Sequence, residues 1–229
     1  MSKRIAILGT GDAATPFDRV PVPISEAAGE NFVPVLVDVP DAVFPDSPAA
    51  RVESEAAYVS AGQAAALEDF DALYVNTVGD YGLQTLRDTV HVPVVGSGET
   101  SLRLAQSSAN SFAIVTIWPP SLRFIYDHIL DASGTSGQCC AIHFLSEDEE
   151  LGTLEREDNF VADMKACRAS SMRDIRAACR SAMDEQGAEI IVLGCTCMQP
   201  VADLLAGEGF PVIEPMVAGY KFTELLLNI

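Results

Sequence analysis

One pattern constrains this chain more than any other. Short apolar runs, RIAILG, FVPVLVDV, DALYVNT, VPVVG, SFAIVTI, CCAIHFL, EIIVLG and FPVIEP, alternate with longer amphipathic stretches such as RVESEAAYVSAGQAAALEDF, YGLQTLRDTV, SLRLAQSSA and KACRASSMRDIRAACRSAMDEQG. The short runs read as strands and the longer stretches as helices. Continuously apolar strands separated by helices indicate parallel sheets covered on both faces, which bind ligands at the strands' carboxyl ends. The expected class is α/β. DVPDAVFPDSPAA, rich in Pro and Asp, reads as a loop, and SEDEELGTLERED as a solvated acidic stretch.

The pattern also repeats. DALYVNT matches AEIIVLGC when Thr77 is set opposite Cys195, and the same spacing of 118 residues sets Pro93 opposite Pro211, aligning VPVVG with FPVIE without a gap. RIAILGT against SFAIVTI extends the match at a shorter spacing, as an insertion in one half would produce. Such matches also arise by chance in α/β chains. A true repeat implies two similar lobes whose strand ends face each other across a cleft, with residues 77 and 195 on opposite walls.

Composition narrows the function. The chain has 229 residues, 48% of them hydrophobic, enough for a substantial core at the boundary between one domain and two. Its 14 Lys and Arg against 33 Asp and Glu give a formal net charge of -19, which repels a phosphate backbone, so no nucleic-acid partner is expected. MSKRIAILGT is too short an apolar stretch for a signal-peptide core, and no run approaches a spanning helix. A cytoplasmic protein with no membrane partner is expected. Six cysteines then read as reduced thiols rather than a disulfide framework.

The stretch LGCTCMQP, residues 193–200, carries the chemistry. Cys195 directly follows a predicted strand and precedes the helix expected for QPVADLLA. Thiols have an ordinary pKa of about 8.5, and a helix N-terminus lowers it toward neutrality. Paired acid and base groups on opposite faces of a planar carbanion suit racemisation or epimerisation.

GCT after an apolar strand resembles the Asp/Glu/hydantoin racemase superfamily. NTVGDYGL at 76–83 is similar to the hydantoin racemase stretch Cys-x-Gly-Asp-Pro-Gly-Leu, VPVVGSGE at 92–99 to Pro-Val-Val-Gly-x-Gly-Glu, and SFAIVTI to a strand ending Val-Thr-Thr. The resemblance implies two pseudo-symmetric flavodoxin-like lobes, residues 1–97 with 215–229 and residues 98–214. It also implies a cleft between them, a small-molecule carboxylate substrate, no cofactor, no metal and a homo-oligomer. The chain departs from the pattern at Thr77, where two-cysteine members carry their first thiol. The aspartate racemase pattern Cys-Asn-Thr places that thiol at Val75 instead, and neither position here is a cysteine. Cys197 stands where glutamate racemases follow GCT with His, and GTGDAA matches their Asp-Ser-Gly only loosely.

Each candidate has a plain structural reading beside the functional one. Cys195 is a reactive thiol or a small buried hydrophobe. Thr77 is a hydrogen-bond donor, a residual acid or an ordinary strand end. Asp80 is a substitute base or the cap of a helix beginning near Tyr81. Thr10, Asn76, Thr116 and Thr196 are strand-end polar groups suited to gripping a carboxylate, and Val78 and Ile117 join them as substrate-binding candidates. Cys197 is expected to pack under the following helix. Cys167 and Cys179 are expected within an amphipathic helix, and Cys139-Cys140 does not complete a metal site. Glu99 matches the family segment or is a solvated helix-start carboxylate. Trp118 and Tyr81 are cleft walls or packing, and the histidines receive no role.

Three functions follow: a cofactor-independent isomerase, a single-cysteine decarboxylase like the arylmalonate decarboxylase branch, or a non-catalytic binding protein.

Overall fold

The computed structural model describes residues 2–9 and 19–229. The chain divides into two units, one of Met1–Thr100 with Met216–Ile229, the other of Ser101–Pro215. In the first, β1 (Lys3–Gly9) is followed by α1 (Val22–Ala27), β2 (Phe32–Asp38), α2 (Pro48–Ala65), β3 (Ala72–Val75), α3 (Leu83–Thr89), β4 (Val94–Gly96) and the start of α4 (Ser97–Ser108). The strands form a parallel sheet in the order β2-β1-β3-β4.

Strand periodicity of two distributes the side chains of β1. Ala6 and Leu8 face one cluster with Tyr58, Ala65 and Leu86 from α2 and α3, while Ile5 and Ile7 face another with Ile24, Tyr74, Met216 and Tyr220. Both faces are covered, which is why these runs carry no polar alternation.

The second unit runs β5 (Phe112–Thr116), α5 (Arg123–Ser133), β6 (Cys139–Phe144), α6 (Phe160–Lys165), α7 (Ala169–Asp184), β7 (Ile190–Leu193), α8 (Gln199–Gly207) and β8 (Val212–Ile213). Its sheet order is β6-β5-β7-β8, again parallel. Helix α9 (Pro215–Leu227) follows; residues from Met216 onward belong to the first unit, and the Tyr74 hydroxyl donates to the Met216 carbonyl at 2.8 Å.

The repeat read from the sequence reappears as hydrogen bonds. Leu73 N–H donates to the Pro93 carbonyl at 2.9 Å, and Ile191 N–H, 118 residues later, donates to the Pro211 carbonyl at 2.8 Å. Asn76 N–H reaches the Leu8 carbonyl as Gly194 N–H reaches that of Val115, and Asp71 reaches Arg4 as Glu189 reaches Ser111. Equivalent residues hold equivalent places in the two sheets.

Local chemistry shifts several helix limits. α2 begins before Arg51 because the Ser47 hydroxyl accepts from Ala50 N–H at 3.2 Å and Pro48 opens its first turn. α4 starts at Ser97, directly after β4. The long helix expected over 165–187 breaks at Cys167, whose φ of 50° is left-handed, so Cys167 lies between α6 and α7 rather than inside a helix. Cys179 does sit in α7, fully buried. Within the acidic stretch, Asp148–Thr153 forms a 3₁₀ helix opened by a capping box of Glu147 and Glu150. Among the described residues, no helix is long and apolar enough to cross a membrane.

Candidate functional site

At the end of β7, Gly194 is held at both polar groups: its N–H donates to Val115, and its carbonyl accepts the Tyr126 hydroxyl at 2.8 Å. A Cβ at Gly194 would lie 2.5 Å from Thr116 Cβ, so only glycine lets β7 run this close to β5. Cys195 follows in extended conformation, φ −149° and ψ 137°, and caps the 3₁₀ turn Thr196–Met198 that leads into α8. Its Sγ accepts from Cys197 N–H at 3.1 Å, and Met198 beneath the turn is fully buried. Cys195, Thr196 and Cys197 are half-buried.

Cys195 and Cys197 are joined by a disulfide, with Cα atoms 5.1 Å apart. This departs from the expectation of reduced thiols throughout and of Cys197 merely packing under the helix. The corner from strand to turn folds the chain back, setting the two side chains at a spacing a disulfide can close. Cys139, Cys140, Cys167 and Cys179 are free thiols.

The equivalent corner after β3 carries Asn76, Thr77, Val78 and Asp80. Asn76 is 4% exposed; its Oδ1 lies 3.4 Å from the Tyr74 hydroxyl, and its Nδ2 has no hydrogen-bond partner among the described residues. Thr77 is half-buried, and its hydroxyl accepts from Gly79 N–H at 3.3 Å. Val78 is buried.

Asp80 does not cap the next helix: α3 begins at Leu83 behind the left-handed Gly82. With its own φ at 47°, Asp80 turns its carboxylate toward the start of α4, where Oδ1 accepts from Gly98 N–H at 2.9 Å and Oδ2 from Glu99 N–H at 2.5 Å. The glycines make room for it: a Cβ on Gly96 would meet Asp80 Oδ1 at 2.5 Å, and one on Gly98 would meet the Val78 carbonyl oxygen at 2.1 Å. Although the residue as a whole is half-buried, its carboxyl is enclosed. Burial pushes it up to about 7, against the two N–H donors that hold it down. Glu99 pairs with Arg87 at 2.6 Å, and Arg87 Nε also donates to the Val94 carbonyl.

After β5, Thr116 is fully buried and its Oγ1 lies 2.5 Å from the Tyr126 hydroxyl; Trp118 N–H donates to the same oxygen at 3.3 Å. Ile117 is buried, and its carbonyl accepts the Ser146 hydroxyl at 2.7 Å. Thr10 lies outside the described residues. Within the second unit, Thr116 and the Gly194-Cys195 corner thus meet through Tyr126, which sequence reasoning missed. The first unit gathers Asn76, Thr77, Val78 and Asp80 in one turn, tied to Gly96 and Gly98. No group of three or more His, Cys, Asp or Glu that could hold a metal occurs among the described residues.

Two four-stranded parallel units, each ending β-strands in a turn rich in glycine and hydroxyl or thiol groups, define a duplicated α/β protein with polar strand ends. The family model described as Asp/Glu/Hydantoin racemase matches residues 24–223, and the chain belongs to that family. It is 32% identical over 163 residues to a hydantoin racemase of Pseudomonas sp. (strain NS671), covering 71% of this chain and 60% of that relative. The match thus spans about three fifths of the relative's length. Among solved structures, allantoin racemase from Klebsiella pneumoniae superposes with a TM-score of 0.78 at 22% identity, over 99% of this chain and 88% of that one. A double mutant of arylmalonate decarboxylase, in its liganded form, superposes at 0.64 with 11% identity, over 99% and 93%. Both structural likenesses speak for the fold.

Proposed function

We propose that this chain is a cofactor-independent racemase or isomerase that moves a proton at the α-carbon of a small carboxylate, amino acid or hydantoin. The observation that carries the reading is the setting of Cys195: a half-buried residue at the end of β7, directly before the turn into α8. Reduction of the Cys195–Cys197 bond frees a strand-end thiol, and a thiol in its ionised form takes a proton from carbon.

Removing that proton places negative charge on the neighbouring carbonyl oxygen, and fixed donors stabilise it. Asn76 suits that task, since its Nδ2 is buried and lacks a hydrogen-bond partner among the described residues. Of the two groups considered for the missing thiol, Asp80 has both oxygens already accepting from α4, and the Thr77 hydroxyl, a weak acid without an activating neighbour among the described residues, serves as a hydrogen-bond donor. We assign Asp80 to holding the Thr77 turn. Thr116, whose hydroxyl meets that of Tyr126, supports the Cys195 corner from beneath. Thr10, Val78, Ile117 and Thr196 remain substrate-contact candidates.

The test is solvent deuterium exchange, followed by NMR, at the ring carbon of 5-substituted hydantoins and at the α-carbon of amino acids, with the protein kept reduced. Exchange with racemisation is expected, falling about 10²–10⁴-fold in Cys195→Ala. Folded, reduced protein that exchanges none of these substrates, or a Cys195→Ala variant at full rate, would overturn the reading.

A second reading is favoured by one observation: of the equivalent positions 77 and 195, only one is a cysteine. Loss of carbon dioxide from an arylmalonate-type diacid leaves an enediolate that needs only one acid. Carbon dioxide release with a single product enantiomer would select it.

A further inference from the structure

We propose that Cys195 and Cys197 form a reversible oxidation site, at which a peroxide-class oxidant converts the two thiols to a disulfide with Cys197 as the resolving partner. The covalent pairing rests on the geometry alone; its consequence, withdrawal of the Cys195 thiol from proton transfer, rests on the function proposed above.

The other cysteines are poorly placed to pair with one another. Cys139 and Cys140 are consecutive in β6, so their side chains leave opposite faces, toward the Ala141 and Phe112 carbonyls. Cys179 is sealed inside α7's packing, and burial pushes its thiol, like that of Cys139, up to about 11, leaving little thiolate to react. Cys167 lies against α8, its Sγ 3.5 Å from the Pro200 carbonyl. Cys195 and Cys197 alone are paired, at a half-buried corner.

The chemistry closes without another reagent. The Cys195 thiolate attacks one peroxide oxygen, the O–O bond breaks, and hydroxide leaves a sulfenic acid. The Cys197 thiolate then attacks that sulfur, forming S–S as S–O breaks. Two thiols and one peroxide become one disulfide and two waters, sulfur losing the two electrons that peroxide gains. A dithiol reverses the bond by exchange.

The full-length chain, reduced and then treated with stoichiometric hydrogen peroxide, tests this by intact mass, thiol titration in denaturant and hydantoin exchange. The six cysteines are expected to fall to four titratable thiols, with loss of two hydrogens mapped to the peptide carrying 195 and 197. Exchange should stop and return with dithiothreitol. Cys197→Ser should exchange normally when reduced but lose activity irreversibly, as Cys195 runs on to sulfinic acid; Cys167→Ser should behave as the parent.

Six thiols surviving the treatment, pairing through Cys167, or recoverable two-hydrogen loss in Cys197→Ser would overturn the site. A mapped 195–197 bond with undiminished exchange would overturn the switch. If the bond forms but the reduced protein exchanges no substrate, the oxidation site stands and the racemase reading falls.

Discussion

A methyl group added at Gly194 would have to share space with Thr116, at 2.5 Å from its Cβ. Overpacking of this kind costs about 1–3 kcal/mol, so Gly194→Ala should lower the urea midpoint by a matching amount. Tyr126→Phe should cost about 1–3 kcal/mol in the same measurement, because it strips a partner from the buried Thr116 hydroxyl and from the Gly194 carbonyl. Of these residues, Gly194 and Cys195 were legible: an apolar strand ending in GCT announces a strand-end thiol. Tyr126 was not. It reads as one more amphipathic position of α5, and only the approach of β5 and β7 gives its hydroxyl two partners. The oxidation partner was also hidden, since a Cys-x-Cys spacing does not reveal that the chain folds back at its middle residue.

At the scale of elements, the Asp80 carboxylate fastens the turn after β3 to α4. Asp80 binds its proton more tightly folded than unfolded, because burial raises it from 3.8 to about 7. Protonation therefore favours the folded state: the contribution is complete below 3.8 and is lost as pH climbs through about 7. Across that window, the stability of Asp80→Asn relative to the parent should rise with pH, as chemical denaturation at several pH values would show. Gly98→Ala should be worse tolerated than either, since backbone rather than a movable side chain stands 2.1 Å from the new atom. The strands were the most legible elements, because burial on both faces leaves uninterrupted apolar runs. Helix limits were less so. Ser97 opens α4 in a Gly-Ser-Gly sequence that looks like a loop until Asp80 supplies its cap, and the break at Cys167 falls within an unbroken amphipathic pattern whose backbone turns left-handed without a glycine.

At the scale of the molecule, the duplication was legible because matched strands kept their spacing. The hydrogen bonds of Leu73 and Ile191 show why: each half repeats the same register between its third and fourth strands. The return of α9 to the first unit is a separate matter. Met216 and Tyr220 fill the cluster around Ile5, Ile7 and Tyr74, and Glu224 Oε1 accepts from Gly29 N–H at 2.8 Å. Removing residues 216–229 should speed hydrogen exchange throughout β1 and β3 while leaving β5 and β7 protected, measured by mass spectrometry. The same return sets an order of events on the ribosome. Residues 101–215 are contiguous and can close their core as soon as they emerge, whereas the half that is translated first must wait, one apolar face open to chaperones, until the last helix arrives.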